Sequence, residues 1–239
     1  MNTSFAGKIA LVAGGTGGLG RAVSQAFLAE GATVIATYRA QDELDALVRA
    51  VGSSGSRLEG QRVDVTDEEA TRKLVDSIVA KYGRLDILVN TVGGYAGGAT
   101  LWEVDTQVFD RMLALNLRSG YALARAVVPV MRQRRAGAIV NIASKAGVEA
   151  PPSAAAYAAS KAAALAMIDS LAAELAGSGV RVNSVLPSII DTEANRKAMP
   201  KADFTKWPKP EDIARVILFL CSDEARVVHG ASIPVYGSD

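Results

Sequence analysis

Residues 8–20 read KIALVAGGTGGLG, and this stretch decides the fold. Its first six residues are almost continuously apolar, which predicts a strand buried on both faces of a sheet. A glycine cluster follows, and residues 18–30 have a helical pattern that Gly31 closes. A strand, a glycine turn and a helix in this order are the context that a dinucleotide-binding loop requires.

Gly14, Gly18 and Gly20 have the spacing Gly-x-x-x-Gly-x-Gly. Glycine lets the backbone turn tightly and approach a pyrophosphate closely. The N-terminus of the following helix offers free N–H groups and the positive end of its dipole. A glycine turn can also be only a tight connection, but its position after the first strand favours a cofactor site.

Strand and helix patterns alternate along the rest of the chain. Further strands are predicted at residues 33–37, 61–65, 86–90, 137–143, 180–186 and 231–236. Further helices are predicted at residues 41–51, 68–82, 107–135, 153–176 and 210–220. Asp67 and Gly83 should bound the helix at 68–82, Pro129 should bend the helix at 107–135, and the Gly/Ser-rich residues 52–60 should form a surface loop.

This alternation predicts an α/β fold, with a single doubly wound, Rossmann-like, mostly parallel sheet and helices on both faces. We find no internal repeat and no linker composition in the sequence. Residues 1–239 are therefore expected to form a single dinucleotide-binding and catalytic domain.

Composition limits the function classes. The 239 residues carry a formal net charge of +1, so neither nucleic acid nor an anionic membrane is an expected partner. With one cysteine, Cys221, expected in the core, and one histidine, His229, the chain offers no disulfide framework and no metal site of several histidines. Residues 1–8 lack a signal-peptide pattern and charges interrupt the apolar residues 154–176, so we expect a cytoplasmic protein.

A group of polar residues predicts catalysis. Tyr157 and Lys161 lie four positions apart, on one face of the predicted helix. Such a pair by itself is often a surface contact. Ser144, however, follows the predicted strand at 137–143, at the sheet end where open α/β sheets bind ligands. Asn116 lies in the long helix before that strand.

The glycine spacing and the ordered set Asn116, Ser144, Tyr157 and Lys161 resemble the short-chain dehydrogenase/reductase family. The resemblance covers essentially the whole chain and extends in a general way to the 3-oxoacyl-thioester reductase branch. It implies an oxidoreductase that transfers a hydride between a nicotinamide cofactor and a carbonyl or secondary alcohol. It also implies a homotetramer, with a dimer as the alternative.

The resemblance assigns roles to the four residues. Tyr157 would give a proton to the substrate oxygen, and Ser144 would hold that oxygen by a hydrogen bond. A phenol has a pKa of about 10, so we expect the Lys161 ammonium and the nicotinamide charge to lower the pKa of Tyr157. Lys161 would also bind the nicotinamide ribose, and Asn116 would position a water that relays protons.

The resemblance also implies a set of cofactor contacts that runs from the glycine loop to the segment after the sixth strand. These contacts are Gly14, Thr16, Gly18, Leu19, Gly20, Tyr38, Arg39, Asp64, Val65, Asn90, Gly93, Tyr157, Lys161, Pro187, Ile190 and Thr192.

The chain departs from the family pattern at several positions. Ala13 stands where the family usually has Thr, and we expect the loss of that hydroxyl to loosen the loop. Thr91 and Val92 depart from the usual Asn-Asn-Ala-Gly segment. Ser188 replaces Gly in Pro-Gly-x-x-x-Thr, which should restrict the backbone, and Tyr236 replaces Asp in the C-terminal Val-Asp-Gly.

The end of the second strand bears on the choice of cofactor. An acidic residue there would accept hydrogen bonds from the adenosine ribose and repel a 2′-phosphate. Tyr38 stands where NAD-preferring members carry Asp, and Arg39 can bind a phosphate or only cover the sheet edge. We therefore expect NADP(H), with NAD(H) as the alternative, although Gly17 stands where some NADPH users carry a basic residue.

Two loops are candidates for the substrate pocket. Residues 192–210 hold Met199 and Phe204 and should cover the substrate, while Trp207 either contributes to that cover or only anchors the loop. Tyr95 should line the opposite wall. The sequence names no particular substrate, and an NAD-linked alcohol dehydrogenase and a non-catalytic dinucleotide sensor or scaffold stay open as alternatives.

Overall fold

A computed structural model describes residues 5–238. It contains one sheet of seven strands in the order β3-β2-β1-β4-β5-β6-β7, and every neighbouring pair is parallel. The strands are β1 (Ile9–Ala13), β2 (Thr33–Tyr38), β3 (Leu58–Arg62), β4 (Ile87–Asn90), β5 (Gly137–Ile142), β6 (Val180–Pro187) and β7 (Ser232–Val235).

Helices cover both faces of the sheet. They are α1 (Gly18–Ala29), α2 (Gln41–Val51), α3 (Glu68–Tyr82), α4 (Thr106–Leu113), α5 (Ser119–Arg134), α6 (Ala146–Glu149), α7 (Ala155–Glu174), α8 (Glu193–Ala198) and α9 (Pro210–Cys221). One apolar layer joins the sheet to α1, α2 and α9, and the other joins it to α3, α5 and α7. These two layers confirm the predicted doubly wound α/β fold.

The strand order reverses between β1 and β4, and this reversal positions the site. β1 pairs with β2 on one side and with β4 on the other, so Ala13 lies beside Asn90. The backbone N–H of Thr91 donates to the carbonyl of Ala13 at 3.0 Å. In open α/β sheets, ligands bind in the crevice outside the carboxyl ends of strands that diverge in this way.

The third strand differs from its prediction at residues 61–65. β3 spans Leu58–Arg62, because it pairs along β2 from Val34 to Tyr38, and a short 3-10 helix at residues 52–57 precedes it. The predicted surface loop at 52–60 is therefore shorter, because residues 58–60 belong to β3, while residues 52–57 have no buried member. Gly60 lies inside β3, and a Cβ at this position would lie 2.3 Å from Cδ2 of Leu44 in α2.

The helix predicted at 107–135 is divided, and not at Pro129, through which α5 runs without a break. A wide, π-helical turn at residues 114–118 separates α4 from α5. Such turns are frequent at functional sites. The limits of α3 agree with the prediction, since Asp67 accepts a hydrogen bond from Ala70 N and Gly83 closes the helix at a left-handed φ of 69°.

The two unusual single residues are structural. Cys221 is buried as predicted, and burial raises the pKa of its thiol to about 12. His229 accepts a hydrogen bond from Val182 N at 3.2 Å and its Nε2 lies 2.7 Å from the carbonyl of Ala172. Among residues 5–238, no helix is long and apolar enough to cross a bilayer.

Candidate active site

Hydroxyl groups at the ends of the two strands that flank β1 hold the glycine loop. The N–H of Gly14 donates to Thr37 Oγ1 at 2.8 Å, at the end of β2. Thr91 Oγ1, just after β4, donates to the carbonyls of Ala13 at 2.7 Å and Gly14 at 3.1 Å. The loop is thus held from both sides, although Ala13 itself offers no hydroxyl.

The glycines are required by close packing. A Cβ on Gly20 would lie 2.0 Å from the carbonyl oxygen of Gly14, and a Cβ on Gly18 would lie 2.8 Å from Thr192 Cγ2. The first contact brings α1 against the turn, as a pyrophosphate-binding loop requires. The second shows that Thr192, far away in sequence, packs against the loop.

A cleft of about 350 Å³ opens beside this loop, at the carboxyl ends of β1 to β4. It is lined by Gly14, Thr16, Gly17, Thr37, Tyr38, Arg39, Ala40, Glu43, Val63, Asp64, Val65, Thr66, Thr91, Val92, Gly93 and Leu115. The cleft therefore brings together seven of the predicted cofactor residues, which are Gly14, Thr16, Tyr38, Arg39, Asp64, Val65 and Gly93. Sequence reasoning missed Thr37 and Glu43, whose positions at the same end of the sheet were the available signal.

Opposite charges lie along this cleft. Asp64 Oδ1 accepts hydrogen bonds from the backbone N–H of Thr66 at 2.9 Å and from its hydroxyl at 2.7 Å. These bonds, with a smaller contribution from the charge of Arg39, hold the pKa of Asp64 below its usual value. Glu43 Oε2 accepts a hydrogen bond from Thr16 Oγ1 at 2.9 Å.

Asn116 joins three segments from the π-helical turn. Its Nδ2 donates to Ser160 Oγ of α7 at 2.9 Å and to the carbonyl of Gly94 at 3.0 Å. Its Oδ1 accepts from the N–H of Gly94 at 2.9 Å. This buried amide therefore fixes the loop after β4 against α7.

Lys161 lies beside Asn116 and the cleft. Its side chain is buried, its Nζ donates to the carbonyl of Ile142 at 2.9 Å, and burial lowers its pKa to about 8. A Cβ on Gly93 would lie 2.8 Å from Asn116 Oδ1 and 3.2 Å from Lys161 Nζ. Because Gly93 also lines the cleft, its backbone is the contact between the cleft and these two side chains.

Ser144 and Tyr157 complete the group. Ser144 follows β5 and its Oγ accepts from Ala146 N at 3.2 Å. Burial raises the pKa of Tyr157, a hydrogen bond with Ser144 opposes that rise, and the charge of Tyr95 adds to it. The protein's own residues thus raise this pKa, contrary to the predicted lowering by Lys161, whose Nζ is directed to Ile142.

The predicted loops contribute in different ways. The ring of Tyr95 is exposed and meets the ring of Tyr157 edge-on, with centroids 4.9 Å apart. Trp207 is buried, and its ring centroid lies 5.0 Å from that of Phe204, so it anchors the loop at 192–210. Thr192 caps the short helix α8 in this loop by accepting a hydrogen bond from Asn195 N.

The remaining predicted cofactor residues lie outside the lining of the cleft. Asn90 Nδ2 donates to Asn141 Oδ1 at 3.1 Å, so this side chain joins β4 to β5. Leu19 places its side chain in the core, so only its backbone faces the loop. The carbonyl of Pro187 accepts from Lys145 N, and that of Ile190 accepts from Asn195 Nδ2.

The residues present fit a nicotinamide dinucleotide. The glycine loop has no room for side chains at Gly18 and Gly20, where α1 begins, and the cleft extends from this loop to Gly93, beside the buried Lys161. Residues 8–203 match the family model for the short chain dehydrogenases. The chain belongs to this family of NAD(P)-dependent oxidoreductases.

Known relatives agree over nearly the full length. The 3-oxoacyl-(acyl-carrier-protein) reductase FabG of Thermotoga maritima is 37% identical, with 97% of both chains covered. The solved structure of ElxO with NADP bound has a TM-score of 0.91 at 29% identity and covers 96% of this chain and 97% of that chain. Carveol dehydrogenase from Mycobacterium avium, in complex with NAD, has a TM-score of 0.89 at 30% identity and covers 99% of this chain and 98% of that chain.

Proposed function

We propose that the protein is a ketone reductase that uses NADP(H) in preference to NAD(H), with residues 1–239 as a single dinucleotide-binding and catalytic domain. The observation that carries the proposal is the contact at Gly93. There the nucleotide cleft adjoins Asn116 Oδ1 and Lys161 Nζ, within the group that also holds Tyr157 and Ser144.

The cofactor supplies the hydride, and the chain's residues hold it along the cleft. The loop of Gly14, Gly18 and Gly20 takes the pyrophosphate, and Tyr38 and Arg39 take the adenosine ribose with its 2′-phosphate. The pair Asp64 and Val65 contacts the adenine, and Gly93 and Lys161 lie towards the nicotinamide ribose. The segment Pro187, Ile190 and Thr192 holds the nicotinamide end.

The reacting oxygen of the substrate lies between two hydroxyls. Ser144 donates a hydrogen bond to this oxygen and stabilises the charge that develops on it. Tyr157 donates the proton that completes the alcohol. When the cofactor is bound, the positive charge of the nicotinamide together with the Lys161 ammonium would favour the phenolate against the burial that raises the pKa of Tyr157 in the chain alone, and Asn116 would position a water that returns a proton to Lys161.

Arg39 and the lack of a carboxylate at the end of β2 support the preference for NADP(H). The reductive direction follows the 3-oxoacyl reductase among the relatives. We further propose a homotetramer, in which α5 and α7 pair between subunits across the partly apolar face around Val128 and Leu171, and a cytoplasmic location.

A second candidate is an NAD-linked alcohol dehydrogenase, which the carboxylate of Glu43 in the cleft favours. A non-catalytic sensor is disfavoured by the complete set of four polar residues. Initial rates of NADPH and NADH oxidation are measured with acetoacetyl thioesters, diketones, quinones and cyclic ketones. The reverse reaction is measured with secondary alcohols and NAD⁺ or NADP⁺. Turnover only with secondary alcohols and NAD⁺ would replace the first candidate by the second.

The mechanism is tested with Tyr157→Phe. This variant should lose turnover and keep NADPH binding, because only the proton donor is removed. Tyr82→Phe is the matched control, since Tyr82 lies at the end of α3 and bonds Glu59 at the sheet edge. Turnover by Tyr157→Phe at the rate of the control would contradict the assignment of the acid.

A further inference from the structure

Glu43 is a further charged side chain, besides Arg39 and Asp64, in the part of the cleft that we assign to the adenosine. Glu43 lies in the first turn of α2 and lines the cleft together with Tyr38, Arg39 and Thr16. Its Oε2 accepts a hydrogen bond from the hydroxyl of Thr16 at 2.9 Å. This bond crosses from α2 to the glycine loop, so the carboxylate lies at the wall between them.

Glu43 is exposed, and the bond to Thr16 is what holds its carboxylate at the wall of the cleft. Thr16 is only 2% exposed, so the hydroxyl that holds the carboxylate is itself fixed. Leu47, one turn further along α2, is fully buried, which anchors the helix on the sheet. The neighbouring Asp42 lies in the same turn of α2 and is also exposed, but it does not line the cleft.

The chemistry of a carboxylate at this place is defined. It accepts hydrogen bonds from the hydroxyls of an adenosine ribose, and it repels a phosphate on the 2′ oxygen. Tyr38 at the end of β2 offers no carboxylate, and the carboxylate of Glu43 lines the same cleft from the first turn of α2. Arg39 in the same wall has the opposite preference, since a guanidinium binds phosphate.

We propose that Glu43, held by Thr16, is a specificity-determining residue that favours an unmodified ribose and offsets the effect of Arg39. The protein then accepts both NADP(H) and NAD(H), and the balance between Glu43 and Arg39 sets the ratio. This inference rests on the proposed function of the cleft as a dinucleotide site.

Equilibrium binding of two small nucleotides tests the inference without turnover. AMP and adenosine 2′,5′-bisphosphate differ only in the 2′-phosphate, and calorimetry gives the ratio of their affinities for each variant. Glu43→Gln should raise the ratio in favour of the bisphosphate by about tenfold, because one like-charge contact is removed. Asp42→Asn removes the same formal charge from the same turn and should change the ratio by less than about twofold.

Two further variants sharpen the result. Arg39→Ala should move the ratio in the opposite direction, and Thr16→Val should reproduce part of the effect of Glu43→Gln by releasing the carboxylate. Equal effects of Glu43→Gln and Asp42→Asn, or an unchanged ratio while both nucleotides still bind, would overturn the role of Glu43 alone. Failure of the folded wild type to bind either nucleotide would remove the proposed cofactor site, and this inference with it.

Discussion

Lys161→Met should make the protein more stable near neutral pH while it abolishes turnover. The Lys161 side chain is only 5% exposed, and its Nζ donates to a single backbone carbonyl, that of Ile142. Burial lowers its pKa from 10.5 to about 8. The folded protein therefore holds an ammonium in a place that disfavours the charge.

The size of the effect follows from the two pKa values. A fall from 10.5 to about 8 corresponds to about 3 kcal/mol against the charged form. Below pH 8 both the folded and the unfolded chain carry the proton, so the whole penalty is present. Between pH 8 and about 10.4 the unfolded chain binds more protons, so the free energy of unfolding rises with pH. Methionine removes the penalty and loses one hydrogen bond of a charged donor, worth about 1.5–3 kcal/mol, which leaves a net gain of up to about 1.5 kcal/mol at pH 7.

Urea unfolding of the wild type and Lys161→Met between pH 7 and 10.5 measures this effect. Relative to the variant, the wild type should gain about 3 kcal/mol across the upper part of this range. Lys201→Met, at an exposed position, is the control for the loss of a surface ammonium. A difference between wild type and Lys161→Met that stays constant with pH would refute the reasoning from burial.

Two further predictions concern the loop and the opposite end of the sheet. Gly20→Ala should weaken NADPH binding by at least about tenfold in calorimetry, because its Cβ would lie 2.0 Å from the carbonyl oxygen of Gly14. Gly17→Ala is the control: its Cβ would lie 3.4 Å from the same oxygen, so binding should persist. Asp86→Asn should lower the free energy of unfolding in urea by about 1–3 kcal/mol, because it removes the charge of a buried carboxylate that pairs with the partly exposed Arg84 and Arg134. Burial alone would raise the pKa of Asp86, but hydrogen bonds from Arg84 and two other donors outweigh it and hold this pKa below its usual value. Its stabilisation is thus present above about pH 4 and lost as the pH falls, and the variant should lack this dependence.

Local patterns were sufficient for the elements that pack in the middle of the sheet. β1, β4 and β5 are buried almost throughout, so their apolar runs marked them. β3 lies at the sheet edge and is only half-buried, and its residues 58–62 show no apolar alternation. Its register comes from pairing with β2, which is a tertiary contact that no local pattern contains.

The same distinction applies to the site. Asn116, Ser144, Tyr157 and Lys161 were predicted as the catalytic group because their types, order and spacing resemble the family's set. The division of the long helix at residues 114–118 could not be read in this way, because it accompanies the bonds of Asn116 to Gly94 and Ser160. The carboxylate of Glu43 was missed because its role depends on contact with Thr16, a residue 27 positions away in sequence.

Two departures from the family pattern, Thr91 and Ser188, supply hydroxyls that make hydrogen bonds to distant parts of the backbone. Ala13 and Thr91 both depart from it, and in the structure the hydroxyl of Thr91 donates to the carbonyl of Ala13. Ser188 and Tyr236 also both depart, and the hydroxyl of Ser188 donates to the carbonyl of Tyr236 at 2.7 Å. Each pair is far apart in sequence and in direct contact in space. Both bonds go to backbone carbonyls, so the hydroxyls of Thr91 and Ser188 join distant segments whichever side chains stand at positions 13 and 236.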